Sequence, residues 1–149
     1  MSQLLVIKTF CDYHYLNQDC IFCKIIAGII PCHKVYEDDH TLAFLDIAPV
    51  NIGHTLVIPK NHVPNIYEMD QENWSHVMET VRKITPKVKA VSNAEGINII
   101  MNNDAPAGQV VFHSHVHIVP RHTGDGHAHW HGARGYNPGE AEELVNKMK

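Results

Sequence analysis

At 149 residues, 44% of them hydrophobic, the chain is long enough to bury one core and too short for two comfortable domains. Its 12 basic and 16 acidic residues give a formal charge of -4, which excludes a broad basic footprint for nucleic-acid polymers and a polybasic membrane patch, so any nucleotide must be held by a local site. The apolar run Leu4 to Ile7 is cut at Lys8, short of signal-peptide or membrane-spanning length, and the expectation is a soluble, cytoplasmic protein with no membrane partner.

Residues 1–19 show no clear period and read as an extension ahead of a domain spanning 20–149. From Cys20 to Ala27 the pattern predicts a short helical turn, stopped by Gly28 and Pro31. The CxxC spacing of Cys20 and Cys23 reads as a metal or redox pair rather than a disulfide framework, while Cys11 and Cys32 stand apart as reduced cysteines without a role. His33 to Glu37 begins an extended segment and Asp38-Asp39 supplies a turn. His40 to Asp46 and His54 to Pro59 are rich in strand formers, which predicts an antiparallel meander with Pro49 to Gly53 as its last loop. Asp70 is placed to N-cap a helix in which Trp74, Val77, Met78, Val81 and Ile84 recur at helical spacing, a core-facing stripe, with Pro86 expected to kink or divide it. Ile97 to Met101 is a continuous apolar run expected of a buried strand, and Asn102 to Gly108 a loop.

From Gln109 to Pro120 three histidines alternate with other residues. In an extended strand His113, His115 and His117 line one side, and Phe112, Ser114, Val116 and Ile118 the other. With an ordinary pKa of about 6.5, imidazoles are largely neutral at physiological pH, and a nitrogen with a free lone pair can attack phosphorus, bind a metal or accept a proton. The tail that follows carries His122, His127, His129 and His131 around Trp130. It has no Cys or carboxylate partner at suitable spacing and reads as a solvated loop. Gly139 to Lys149 has a short amphipathic helical pattern. These elements predict an α+β fold with an antiparallel sheet of about five strands, one main helix packed on it and a sheet edge available for dimerisation.

The segments Cys20-Ile21-Phe22-Cys23-Lys24-Ile25-Ile26, Phe44-Leu45-Asp46, Gly53-His54-Thr55-Leu56-Val57-Ile58-Pro59-Lys60 and His113-Ser114-His115-Val116-His117-Ile118-Val119-Pro120 stand in this order within residues 20–122. Together they resemble the histidine triad nucleotide-binding family, in its small homodimeric hydrolase branch. The resemblance implies the histidine triad fold, a homodimer, and hydrolysis or transfer at a purine nucleoside 5′-phosphate derivative, a phosphoramidate or dinucleoside polyphosphate. It maps the nucleophile to His115, and phosphate-side donors to His117 and His54. Asn102, Gly108 and Gln109 map to the phosphate pocket, Asp46 to the acceptor of ribose hydroxyls, and Ile21, Phe22 and Phe44 to an apolar slot for the base. The chemistry agrees: a neutral imidazole attacks phosphorus well, splitting one displacement into two, and further imidazoles donate where negative charge sits. In related dimers a tail tryptophan approaches the partner subunit's active site, a position that maps to Trp130.

Zinc-containing members complete the CxxC with the histidine after the Val-Ile-Pro-Lys strand and the first triad histidine. The expected ligands of a structural zinc are therefore Cys20, Cys23, His62 and His113. His115 is left for chemistry, and the scheme requires no catalytic metal. One position departs: the family commonly places Ser or Thr after the glutamine, where its hydroxyl helps to protonate the leaving group, and here Val110 stands. Substrates with good leaving groups are expected to suffer less from that change than alkyl phosphoramidates. Two other readings are a nucleotide-binding or scaffold protein with little turnover, and a metal hydrolase with His113, His115 and His117 as ligands.

Overall fold

The computed structural model describes residues 17–128 and 134–149. The expectations for residues 1–16, including Cys11, and for His129, Trp130 and His131 lie outside the described residues. The elements run α1 (Ile21–Ile26), β1 (Lys34–Glu37), β2 (Thr41–Leu45), β3 (Thr55–Pro59), α2 (Gln71–Val91), β4 (Gly96–Ile100), a single 3-10 turn (Ala105–Ala107), β5 (Val116–Arg121) and α3 (Glu140–Met148). The strands form one antiparallel sheet in the order β1-β2-β3-β5-β4. Among the described residues no helix is long and apolar enough to cross a membrane.

The period-two alternation of β2 and β3 divides the core between the two sheet faces. Ala43, Val57, Val116 and Ile118 pack with Val77, Val81, Ile84 and Val88 of α2. Leu42, Phe44, Leu56 and Ile58 pack on the opposite face with Phe22, Cys20 and Cys23 at α1. Asp70 caps α2 as its position predicts, Oδ1 accepting from the Asn73 backbone N–H at 2.8 Å. The fold is α+β, with α2 as the main helix.

Three local expectations are corrected. Pro86 does not divide α2, which runs unbroken through it. Pro86 lies on the exposed side, where water can take the place of the missing i→i−4 bond. The Ile97–Met101 run is not a buried strand but the outer edge strand β4, with Ile99 44% and Ile100 42% exposed. The histidine strand begins only at Val116, so His113 and His115 precede it. Pro59, which has no N–H to offer a further rung, gives its carbonyl to His113 Nε2, and the Ser114 N–H donates to the Val63 carbonyl at 2.6 Å. Phe112, ahead of these bonds, is half exposed.

Replacing the exposed Pro86 by alanine restores an interior helical bond, and Pro86→Ala is expected to raise the stability measured by urea unfolding by up to about 3 kcal/mol. Ile84→Ala, emptying a fully packed position, is expected to lower it by about 2–5 kcal/mol.

Candidate active site and metal site

The start of α1, the segment after β3 and the segment before β5 meet on the face opposite α2. Three residues apart across the first turn of α1, Cys20 and Cys23 present both sulfurs to His113. Nδ1 of His113 lies 3.6 Å from each Sγ, and Nδ1 of His62 lies 3.3 Å from Cys23 Sγ. The four donor atoms all fall within 4.8 Å of one another. Tetrahedral zinc, with bonds of about 2.3 Å to sulfur and 2.0–2.1 Å to nitrogen, fits donors at this spacing. His113 Nε2 is 2.8 Å from the Pro59 carbonyl, which can only accept, so the proton sits on Nε2 and the Nδ1 lone pair faces the sulfurs. Burial pushes the His113 imidazole down to about 4. Burial also pushes the Cys23 thiol up to about 11, with Cys20 adding to the rise and a backbone N–H at Asn17 opposing it. Without a cation this pocket favours neutral donors, and a bound cation supplies the charge that releases the thiol protons.

His115 and His117 are oriented by other groups. His115 Nδ1 is 2.7 Å from the His113 carbonyl, which makes it the donor and leaves a lone pair on Nε2. His54 Nδ1 accepts the Val50 backbone N–H at 3.2 Å, so the His54 proton sits on Nε2, which donates to His117 Nδ1 at 2.9 Å. The remaining proton of neutral His117 is therefore on its Nε2. The His115 and His117 rings are 4.9 Å apart, one ending in a lone pair and the other in an N–H. Burial drives His117 down to about 4, helped by repulsion from His115 and His54. Burial lowers His115 against the opposing pull of the His113 carbonyl, and lowers His54 against that of the Asp46 charge.

Asp46, His54 and His117 also bring three donor atoms within 4.8 Å. A cation on His54 Nε2 would need the ring proton on Nδ1, where the Val50 N–H points, so this group is built as a hydrogen-bond chain. The three triad imidazoles do not share one donor set among the described residues. His113 groups with the cysteines, His117 with His54 and Asp46, and His115 with neither, an arrangement that disfavours the metal-hydrolase reading.

Of the other expected site residues, Phe22 and Asp46 lie against these rings, and Asn102, Gly108 and Gln109 share a loop of their own. Phe22 meets Phe44 at 5.6 Å and His115 at 5.3 Å, both edge to face, and Ile21 beside it is exposed. Asp46 Oδ1 accepts the Ala48 N–H at 2.8 Å, and Oδ2 lies 3.7 Å from His54 Nδ1. Gly108 has φ +90°, a left-handed conformation that side chains rarely adopt, and it lies in van der Waals reach of the Asn102 amide nitrogen. Gln109 is buried, and its amide is engaged by the protein. Oε1 accepts from the Asp104 N–H, and Nε2 donates to the carbonyls of Pro64 and Val111. It shapes the loop from behind. Val110 is 86% exposed. Sequence reasoning missed the Val50 N–H and the Pro59 and His113 carbonyls, backbone groups with no side-chain signature. It also missed the contacts of Asn51, Arg121 and Asp125, for which the only sequence signal was a charged pair four residues apart in a Gly-containing turn.

Comparison with known proteins follows the same residues. The HIT domain matches residues 27–124. The chain is 53% identical over 110 residues to protein hit of Bacillus subtilis, covering 73% of this chain and 76% of that one. It is 46% identical over 102 residues to the adenosine 5′-monophosphoramidase hnt1 of Schizosaccharomyces pombe, covering 68% and 74%. With the adenylylsulfatase HINT3 of Arabidopsis thaliana the identity is 43% over 106 residues, covering 71% and 54%. Among solved structures, SMU.412c of Streptococcus mutans matches with a TM-score of 0.86 at 43% identity, over 91% of this chain and 86% of that one. A zinc-bound histidine triad family protein of Mycobacterium smegmatis matches with a TM-score of 0.70 at 35% identity, over 87% and 91%.

The buried neutral histidines give folding a pH dependence of definite sign. An unfolded histidine takes up its proton near about 6.5, whereas His117 resists until about 4 in the fold, so between these values the unfolded chain binds more protons. The contribution is full above about 6.5 and is lost as pH falls toward 4. Urea midpoints at pH 7.5, 6 and 5 are expected to fall in that order, and less steeply in His117→Asn.

Proposed function

This chain belongs to the HIT domain family, and on that footing we propose that it cleaves a purine nucleoside 5′-phosphate derivative, a phosphoramidate or dinucleoside polyphosphate, through a covalent nucleotidyl-His115 intermediate. The observation that carries this reading is the His115 tautomer: with Nδ1–H bound to the His113 carbonyl at 2.7 Å, the Nε2 lone pair is the free end of the ring. The printed activities of two relatives, an adenosine 5′-monophosphoramidase and an adenylylsulfatase, support the substrate class.

In this reading His115 Nε2 attacks the α-phosphorus, and the bond to the leaving group breaks with its electron pair going to that group. The Nδ1–H stays on the ring, and the His113 carbonyl faces the positive charge of the phosphorylated imidazole. His117 donates its Nε2–H to a phosphoryl oxygen and is itself held by His54. Water then displaces the imidazole, giving the nucleoside monophosphate and releasing a proton. Asp46 takes the ribose hydroxyls, Ile21, Phe22 and Phe44 border the base, and Asn102 and Gly108 face the phosphates, with Gln109 holding their loop. Val110 offers the leaving group no hydroxyl, which favours leaving groups that depart without help.

Cys20, Cys23, His62 and His113 are the residues that would hold zinc, whose contribution is to tie α1 to the segment before β5. Thiol ligands stay reduced in a cytoplasmic compartment, where this reading places the protein. The unpaired edge of β4, with Ile99 and Ile100 exposed, is where a second copy would extend the sheet into a homodimer.

Mass spectrometry of enzyme quenched rapidly with adenosine phosphoramidate and with a diadenosine polyphosphate is expected to give a protein–adenylyl adduct. His115→Ala is expected to lose it and to lower turnover by about 10³-fold or more. Tight nucleotide binding with neither adduct nor product would instead favour the binding-protein reading. Chelation is expected to lower the thermal midpoint, with zinc restoring it in the wild type and not in Cys23→Ser. Adduct formation should persist in whatever fraction stays folded, whereas immediate loss without unfolding would assign the metal to the reaction.

A further inference from the structure

Arg121, the last residue of β5, and Asp125 form a largely buried pair that the reaction leaves unused. The guanidinium is bidentate, Nε to Oδ2 at 2.7 Å and Nη2 to Oδ1 at 2.8 Å, and it also donates to Asn98 Oδ1 and the His127 carbonyl. Asp125 accepts in addition the backbone N–H groups of His122 and His127 and the amide of Asn51, at 2.9 Å. The Arg121 guanidinium, and after it the His127 N–H, hold its carboxyl well below the usual range. It is a fixed anion at the centre of a turn.

Asn51 connects that anion to the active-site loop. Its amide also donates to the Pro120 carbonyl at 2.9 Å, and its own carbonyl accepts the His54 backbone N–H at 3.0 Å. Two residues on, at Gly53, a Cβ would meet Ser92 Cβ at 3.1 Å, so the loop is pressed against the end of α2. One residue before Asn51 is Val50, whose N–H sets the His54 tautomer.

The tautomer matters because it propagates. Should the Val50 N–H withdraw, the ring proton of His54 is free to move to Nδ1, facing the Asp46 carboxylate 3.7 Å away. His54 Nε2 then becomes an acceptor, His117 must turn its proton onto Nδ1 to keep the 2.9 Å bond, and His117 Nε2 is left with a lone pair. A donor toward phosphate becomes an acceptor. The geometry assigns to Asn51 and Asp125 the part of positioning residues: by tying loop 46–53 to the end of β5 they hold the Val50 N–H on His54 and keep a proton on His117 Nε2. The consequence for turnover rests on the proposed reaction, and the consequence for the two rings rests on the hydrogen bonds alone.

Long-range proton–nitrogen NMR of the imidazoles in the full chain tests this directly. In the wild type His54 and His117 are expected as Nε2–H tautomers. Both are expected to shift toward Nδ1–H in Asp125→Asn and in Asn51→Ala, the second of which leaves the Arg121–Asp125 pair intact. Glu95→Gln loosens the same turn at the Thr123 N–H without touching the path, and is expected to leave both rings unchanged. Asn51→Ala should lower kcat on the order of tenfold, with a smaller effect on KM. It should add no further loss in a His54→Asn background. Unchanged tautomers in Asn51→Ala, an equal shift in Glu95→Gln, or losses that multiply in the His54→Asn background would overturn the assignment. A wild type without turnover would count against the proposed reaction, while the ring spectra would still decide the positioning.

Discussion

The side chain of His113 is fully buried, and its Nε2–H is committed to the carbonyl of Pro59. That bond turns Nδ1 toward Cys20 and Cys23, while the backbone carbonyl of the same residue takes the Nδ1–H of His115. Moving the ring proton to Nδ1 would set the Nε2 lone pair against the lone pairs of the Pro59 carbonyl and aim an N–H at the sulfurs, a buried unpaired contact costing about 1–3 kcal/mol. The donor set at the cysteines therefore depends on one carbonyl at the end of β3, and the orientation of the His115 ring on the carbonyl of His113.

Backbone groups do the same work throughout the site. The Pro59 carbonyl fixes His113, the His113 carbonyl fixes His115, and the Val50 N–H fixes His54 and, through it, His117. The charge nearest to the pair of His54 and His117 is Asp46, which stands 3.7 Å from His54 rather than in a close ion pair. Neutral imidazoles in a buried place cost little to desolvate when each polar atom meets a partner, and their directionality comes from geometry rather than from ionisation. The site's polarity is thus a property of the fold.

Much of this was legible from residue patterns. The strand formers of β2 and β3, the Asp70 cap, the stripe on α2 and the CxxC each report a local rule, and the fold obeys them. Where reading the sequence failed, a local rule met a tertiary constraint. The Ile97–Met101 run has the composition of a buried strand, but burial depends on a neighbour, and β4 has one on a single side. Pro86 costs α2 one interior hydrogen bond, but the packed stripe on both sides of it holds the helix together and water reaches the exposed side. The period of the histidines predicted a shared strand face, and for His117 against Val116 and Ile118 it holds. For His113 and His115 the strand fails, because the ladder gives way before Val116, but the shared side does not: Phe22 meets both rings, and His115 lies beside His117. Their partners are main-chain atoms, which every residue possesses and no side-chain pattern announces.

The two covered faces of the sheet have one more consequence. In a sheet with one wet face, polarity distinguishes the sides, but β2 and β3 are apolar on both. What distinguishes them is bulk: Ala43 and Val57 lie under α2, while Leu42, Phe44, Leu56 and Ile58 fill the side of α1. A slip of one residue would crowd the larger side chains beneath a long helix and leave the smaller ones facing α1, so side-chain volume enforces the register. Through the pairing of Leu56 with His117, that same volume code decides on which side of the sheet the last triad histidine emerges.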